Sequence, residues 1–181
     1  MARPHTPGPV KLFSSLFSSE GEVMGSVLRR LEERFGAIDY LSGKLSFNHT
    51  EYYQDEFGGG LFRKMVSFEQ LIQPDLLPSV KLFTNALEDE YAGKEGRRRV
   101  NIDPGYLALD KVVLASCKNF SHRLYLGEGV FGEAILLYKR GAGFLPLDWT
   151  YPDYRSDTMR SILEEIRMRY GKQVELDDAH D

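Results

Sequence analysis

Residues 10–17 run Val-Lys-Leu-Phe-Ser-Ser-Leu-Phe. This apolar stretch, interrupted only by Lys11, Ser14 and Ser15, predicts a first strand. The period then changes. Val23, Val27, Leu28, Leu31 and Phe35 recur at helical intervals, and Gly36 ends the pattern. Ser18 or Ser19 is expected to cap this helix, with Glu20 and Glu22 in its first turn and Arg29, Arg30, Glu33 and Arg34 on a solvated face. Ile38 to Phe47 predicts one strand, or two broken at Ser42-Gly43. Residues 49–60 are polar and aromatic, end in Gly58-Gly59-Gly60, and predict a loop with room for one helical turn. Phe62, Lys64, Val66 and Phe68 alternate with Arg63, Met65 and Ser67, which predicts another strand.

Pro74 and Pro78 bracket a turn, and Pro78 suits the first position of a second helix. Val80, Phe83, Leu87 and Tyr91 mark that helix, and Gly93 closes it. Val100-Asn101-Ile102-Asp103 alternates as a strand does, and Pro104-Gly105 is expected to form a type II turn. Leu107–Ala115 fits a strand or a short helix, and the β-branched Val112-Val113 favours the strand. Further strands are predicted at His122–Leu126 and Val130–Tyr138, joined at Gly127-Glu128-Gly129, and at Phe144–Leu147. Met159, Ile162, Leu163, Ile166 and Tyr170 mark a closing helix capped by Ser156 or Asp157. Residues 1–9 and 174–181 are expected to be flexible. Strands outnumber helices more than two to one, and several are hairpin-linked. The expected fold is therefore a single α+β domain over residues 1–181, with a largely antiparallel or mixed sheet covered by about three helices on one face.

Composition narrows the function. The 181 residues are 42% hydrophobic, enough for a substantial core. A net charge of −4 excludes a generally basic nucleic-acid binder, and 12% aromatic content excludes an acidic disordered chain. The charge is unevenly spread. Residues 1–93 carry 9 basic and 13 acidic side chains, residues 94–140 carry 9 and 5, and residues 141–181 carry 5 and 9. A segment of net +4 thus lies between two of net −4, and an anion site is expected in that middle. The one cysteine, Cys117, permits no internal disulfide and fits a reducing compartment. It follows the apolar run Val112–Ala115 and is expected to be a buried, inert thiol. No apolar run approaches the length of a membrane span, and the N-terminus has no signal-peptide pattern, so a cytoplasmic protein without a membrane partner is expected.

Three stretches are distinctive: Arg98-Arg99-Val100-Asn101-Ile102-Asp103-Pro104-Gly105-Tyr106-Leu107, His122-Arg123-Leu124-Tyr125-Leu126-Gly127, and Trp149-Thr150-Tyr151-Pro152-Asp153-Tyr154-Arg155. With Pro9-Val10-Lys11-Leu12-Phe13 and Lys81-Leu82-Phe83-Thr84-Asn85, the chain resembles a prokaryotic family catalogued as domain of unknown function 4416. The resemblance covers nearly the whole chain and implies no established activity. Some members carry a GTP-binding label. Here Gly58-Gly59-Gly60-Leu61-Phe62-Arg63-Lys64 has neither the spacing nor the hydroxyl of a P-loop, and no Asn-Lys-x-Asp guanine reader is present.

Strand alternation assembles a candidate site. Arg99, Asn101 and Asp103 share one face of their predicted strand, and Arg123 and Tyr125 share one face of theirs. If the apolar sets face the core, these five residues line one basic sheet face, offering guanidinium forks for phosphate or carboxylate. Arg155 precedes the closing helix, whose N-terminal amides favour an anion, and Asp153 is placed to orient Arg155 or to accept from a ligand hydroxyl. Asp103 and His122 are the acid–base candidates, with Arg99, Asn101, Arg123, Tyr125, Asp153 and Arg155 as ligand-binding residues. The bland alternative is a solvated sheet face with weak Arg/Asp pairs and a rigid aromatic loop. No metal is expected. His49, Glu51 and Glu56 form a metal set only if the fold brings them to His122, and neither a two-histidine phosphoesterase pattern nor a nucleophile elbow is present. RNA is a weaker partner, through Arg97-Arg98-Arg99 with Tyr106, Phe120 and Tyr125 as stacking groups. The expectation is a small anionic ligand, with no cofactor named and catalysis left open. The alternative is a non-catalytic module that binds a protein or RNA.

Overall fold

The computed structural model describes residues 2–46 and 60–178. Its elements run β1 (Val10–Ser18), α1 (Gly21–Phe35), β2 (Ile38–Leu41), β3 (Leu45–Ser46), β4 (Phe62–Ile72), α2 (Leu77–Glu90), β5 (Asn101–Leu107), β6 (Lys111–Ser116), β7 (Leu124–Gly127), β8 (Val130–Lys139), β9 (Gly143–Pro146) and α3 (Asp157–Asp178). The nine strands form one sheet in the order β2-β4-β1-β5-β6-β8-β7, with β3 also on β4 and β9 also on β8. Each pairing is antiparallel, so the chain is an α+β domain.

All nine residues of β1 are buried. Its even positions Leu12 and Leu16 pack with Val23, Val27 and Leu31 of α1 and Val80 and Leu87 of α2. Odd Phe13 packs instead with Ile162, Leu163 and Ile166 of α3. Helices therefore cover both faces of the sheet, not one as the strand count suggested. A strand buried on both sides reads as a continuous apolar run, as Val10–Phe17 does. The interruption at Lys11 is absorbed. Its fully buried ammonium is paired with Asp39 and donates to Gln173 Oε1 at 2.7 Å.

Several local expectations change. Glu20, rather than Ser18 or Ser19, occupies the cap position of α1, without a side-chain cap bond of its own. Ser18 Oγ instead donates to the Arg99 carbonyl at 2.7 Å, tying β1 to the approach to β5. Ser156 does cap α3, accepting from Met159 N at 3.2 Å. That helix runs on to Asp178, with Val174 packed against the core, so part of the presumed flexible tail is helical. Pro104-Gly105 makes no turn. Both lie inside β5, paired through Ser14↔Pro104 and Phe13↔Gly105. Among the described residues, no helix is long and apolar enough to cross a membrane.

The feature that positions the site is a fork. β5 and β6 pair only at Gly105↔Leu114, Tyr106↔Val113 and Leu107↔Val112. Beyond that point Asn101–Pro104 stay on β1, while Ala115 and Ser116 stay on β8. Pro104, with no amide to donate, faces no partner on the β6 side and costs no ladder bond there. Gly105 lies at the crotch. A Cβ there would collide with the Val113 carbonyl and come within 2.8 Å of the Phe13 ring, so only glycine lets the backbones approach before they part.

Candidate functional site

The fork opens into a cavity of about 460 Å³. Asn101 and Asp103 line it from β5, and Leu114–Cys117 with Lys118 line it from the opposite side. Because the strands part, side chains from both faces of the sheet reach the same space. From α2 come Lys81, Asn85 and Glu88, whose i, i+4, i+7 spacing puts them on one stripe of the helix. Beyond the other face lie Phe17, Arg63, Glu133 and the segment Tyr151-Pro152-Asp153-Tyr154; Arg98 and Arg123 complete the lining.

The polar groups are organised in two networks. In the first, Glu133 is almost fully buried. Its Oε1 accepts from Arg123 Nη2 at 3.0 Å and from the Tyr151 hydroxyl at 2.9 Å, and its Oε2 lies 2.6 Å from His122 Nε2. Arg123 also donates to Ser116 Oγ at 2.9 Å and to the Lys118 carbonyl at 2.6 Å, bracing the turn after β6. Burial alone would lower the Arg123 pKa; the hydrogen bond and charge of Glu133 outweigh it and raise the value. Burial and then the Glu133 charge push the Tyr151 phenol up to about 12.

The second network surrounds α2. Lys81 Nζ donates to the Ile102 carbonyl at 3.0 Å and lies 3.7 Å from Asp103 Oδ1. Asn101 donates to Asp103 Oδ2 at 2.8 Å and accepts from Arg98 Nη1 at 3.0 Å. Glu88 Oε1 accepts from Ile102 N at 2.6 Å. Burial pushes the Glu88 carboxyl up to about 7, with Asp103 acting in the same direction, against the pull of Lys81, the Ile102 amide and Arg98. A carboxyl poised near neutrality in a cleft is suited to exchanging a proton at physiological pH.

Asn101, Asp103, Arg123 and Asp153 therefore converge on one cavity. The other four sequence candidates lie elsewhere. Arg99 pairs with Glu20 beside the start of α1. Tyr125 is 64% exposed on β7, packed on Phe131. Arg155 donates to the carbonyls of Thr150, Leu147 and Asp148, clamping the loop before α3. Asp153 pairs with Arg63, not Arg155, so its expected orienting role falls to a different strand. His122 stacks on Trp149 at 5.1 Å and 11° and sits behind Glu133, outside the cavity lining.

His122 and Arg123 do not alternate as strand neighbours, because β7 begins only at Leu124. Both residues lie in the preceding turn and can bond the same carboxylate. Cys117 is not the buried thiol expected: it is exposed at the cavity wall and accepts from Asn85 Nδ2 at 3.2 Å. Glu133, Glu88, Lys81, Arg63 and Tyr151 were not among the sequence candidates. Lys81, Asn85 and Tyr151 did lie inside the distinctive motifs, and that was the available signal. His49, Glu51 and Glu56 lie outside the described residues, as do Gly58 and Gly59. Lys64 lies within strand β4 rather than at a helix N-terminus, unlike a P-loop lysine.

A family model described as "Domain of unknown function (DUF4416)" matches residues 8–170. The chain belongs to this family. No curated protein and no solved structure matches it. Every cavity residue of this DUF4416 chain falls within the matched span, so the fork and its lining belong to the family domain rather than to an appended segment.

Proposed function

We propose that the cleft between β5 and β6 binds a small phosphorylated or carboxylated molecule. The observation that carries this reading is the concentration of cations on one concave surface. Arg63, Lys81, Arg98, Lys118 and Arg123 face Glu88, Asp103, Glu133 and Asp153, and burial pushes the Glu88 carboxyl up to about 7. Arginine and lysine side chains converging on a concave surface are suited to phosphate and carboxylate groups. Lys118 Nζ makes no hydrogen bond or ion pair among the described residues, which leaves its charge free for a ligand. Phe17, Leu114, Pro152 and Tyr154 supply the apolar contact that a carbon skeleton needs. The concave cleft, about 460 Å³ in volume, suits a small ligand better than an extended protein or RNA partner, and Asp103 and Glu88 are the groups positioned for any proton transfer.

A thermal-shift panel of inorganic phosphate, citrate, sugar phosphates, nucleoside triphosphates and a short RNA tests the reading. A small anion is expected to raise Tm at low salt, and Lys118→Ala to reduce that shift. A shift given by the RNA alone, or one unchanged in Lys118→Ala, would count against it.

A further inference from the structure

Among the described residues four carboxylates line the cavity, and their oxygens are not equally engaged. Both oxygens of Glu133 and both of Asp153 accept hydrogen bonds. Asp103 has one oxygen bonded to Asn101 and the other within ion-pair reach of Lys81. Glu88 Oε1 is held by Ile102 N, while its Oε2 makes no hydrogen bond or ion pair among the described residues. It is the one lining carboxylate among the described residues with an oxygen to spare.

We propose that anion binding in this cleft is coupled to protonation of Glu88. The inference rests on the proposed anion site. As an anion enters, Glu88 takes one proton from solvent onto Oε2, and the resulting Oε2–H donates a hydrogen bond to a ligand oxygen. No other bond changes, and the proton returns to solvent on release. The charged groups facing Glu88 are Lys81 on its own helix and Arg98 and Asp103 from the β5 side, while Cys117 and Lys118 line the same cavity from the β6 side. Lys81 and Arg98 favour an ionised Glu88 but do not outweigh its burial, so a second negative charge beside it is offset only in part. Asp103, already placed beside Glu88, makes a further adjacent anion costly, and protonation of Glu88 removes that cost. Its tendency to hold a proton near neutrality makes the coupling effective at physiological pH.

The test uses the full chain with inorganic sulfate, which carries no proton to exchange in the range used. Sulfate titrations followed by amide chemical shifts are run from pH 5.5 to 8.5, alongside ¹³C-carboxyl titration of Glu88. The sulfate Kd is expected to rise by about tenfold per pH unit above neutrality in the native chain. Glu88→Gln keeps an acceptor for Ile102 N and a neutral donor for the ligand. It is expected to bind sulfate with little pH dependence, at about the affinity of the native chain in acid. The Glu88 carboxyl midpoint is expected to move up with sulfate present. Sulfate-induced shifts around the fork with a pH dependence unchanged in Glu88→Gln would overturn the coupling and leave the anion site standing. Absence of any sulfate-induced shift, by contrast, would overturn the anion site and the coupling together.

Discussion

Arg123 Nη2 lies 3.0 Å from Glu133 Oε1, with the two side chains 10% and 1% exposed. The pair joins the turn before β7 to the middle of β8, and the same guanidinium holds Ser116 and the Lys118 carbonyl. Removing one member leaves the other charged and out of water. Arg123→Ala is expected to cost about 3–5 kcal/mol of stability, read from urea denaturation. Arg123→Met combined with Glu133→Gln should recover part of the loss. A single-substitution cost under about 1 kcal/mol would mean that the pair is solvated in solution.

A second buried ion pair makes a parallel case. Lys11 is fully buried in β1, an interior strand, and paired with Asp39, which also accepts from Ser67 Oγ at 2.6 Å. Asp39→Ala is expected to destabilise by about 3–5 kcal/mol, and Lys11→Met in that background should restore most of it. The same denaturation measurement decides it.

The fork depends on Gly105. Gly105→Ala puts a methyl against the Val113 carbonyl and the Phe13 ring, and is expected to cost about 2–3 kcal/mol or more. Amide hydrogen exchange should show loss of protection spreading through the short β5–β6 pairing at residues 105–107 and 112–114. Unchanged protection would place the close approach elsewhere.

Glu88 sets a pH dependence with a defined sign. Its carboxyl is raised from 4.5 to about 7 in the native state. Between those values the unfolded chain is ionised while the native chain holds the proton, so native stability falls as pH rises through that window. Glu88→Gln lacks this fall. Its stability relative to the native chain is expected to improve from pH 5 to pH 8, by on the order of 2–3 kcal/mol, as followed by urea unfolding across pH. A pH-independent difference would show that Glu88 titrates in its ordinary range.

The order and type of the elements were legible in the sequence because their periods are strong, as in the α1 stripe from Val23 to Phe35 and the apolar run of β1. What failed were inferences from local chemistry that tertiary context overrode. Pro104-Gly105 carries a turn signature, yet serves a strand whose neighbour has departed. Alternation grouped Asn101 with Asp103 on β5, but it does not join Arg123 to Tyr125: Arg123 lies in the turn before β7 and lines the cavity, while Tyr125 stands exposed on β7. Alternation with Asn101 and Asp103 points to Arg99, and the start of the closing helix points to Arg155. The one is spent on Glu20 and the other on loop carbonyls. Glu88 and Glu133 were invisible because each reads as an ordinary polar position; only the fork and the packing of α2 and β8 turn them toward one cavity.

A crystal structure grown with the most strongly stabilising anion of the panel tests the central claim most directly. Ligand density is expected inside the fork, with its anionic group within hydrogen-bond distance of Lys118 or Arg98 and an oxygen facing Glu88 Oε2. Density confined to the surface at Arg99, Tyr125 or Arg155, with none between β5 and β6, would contradict it.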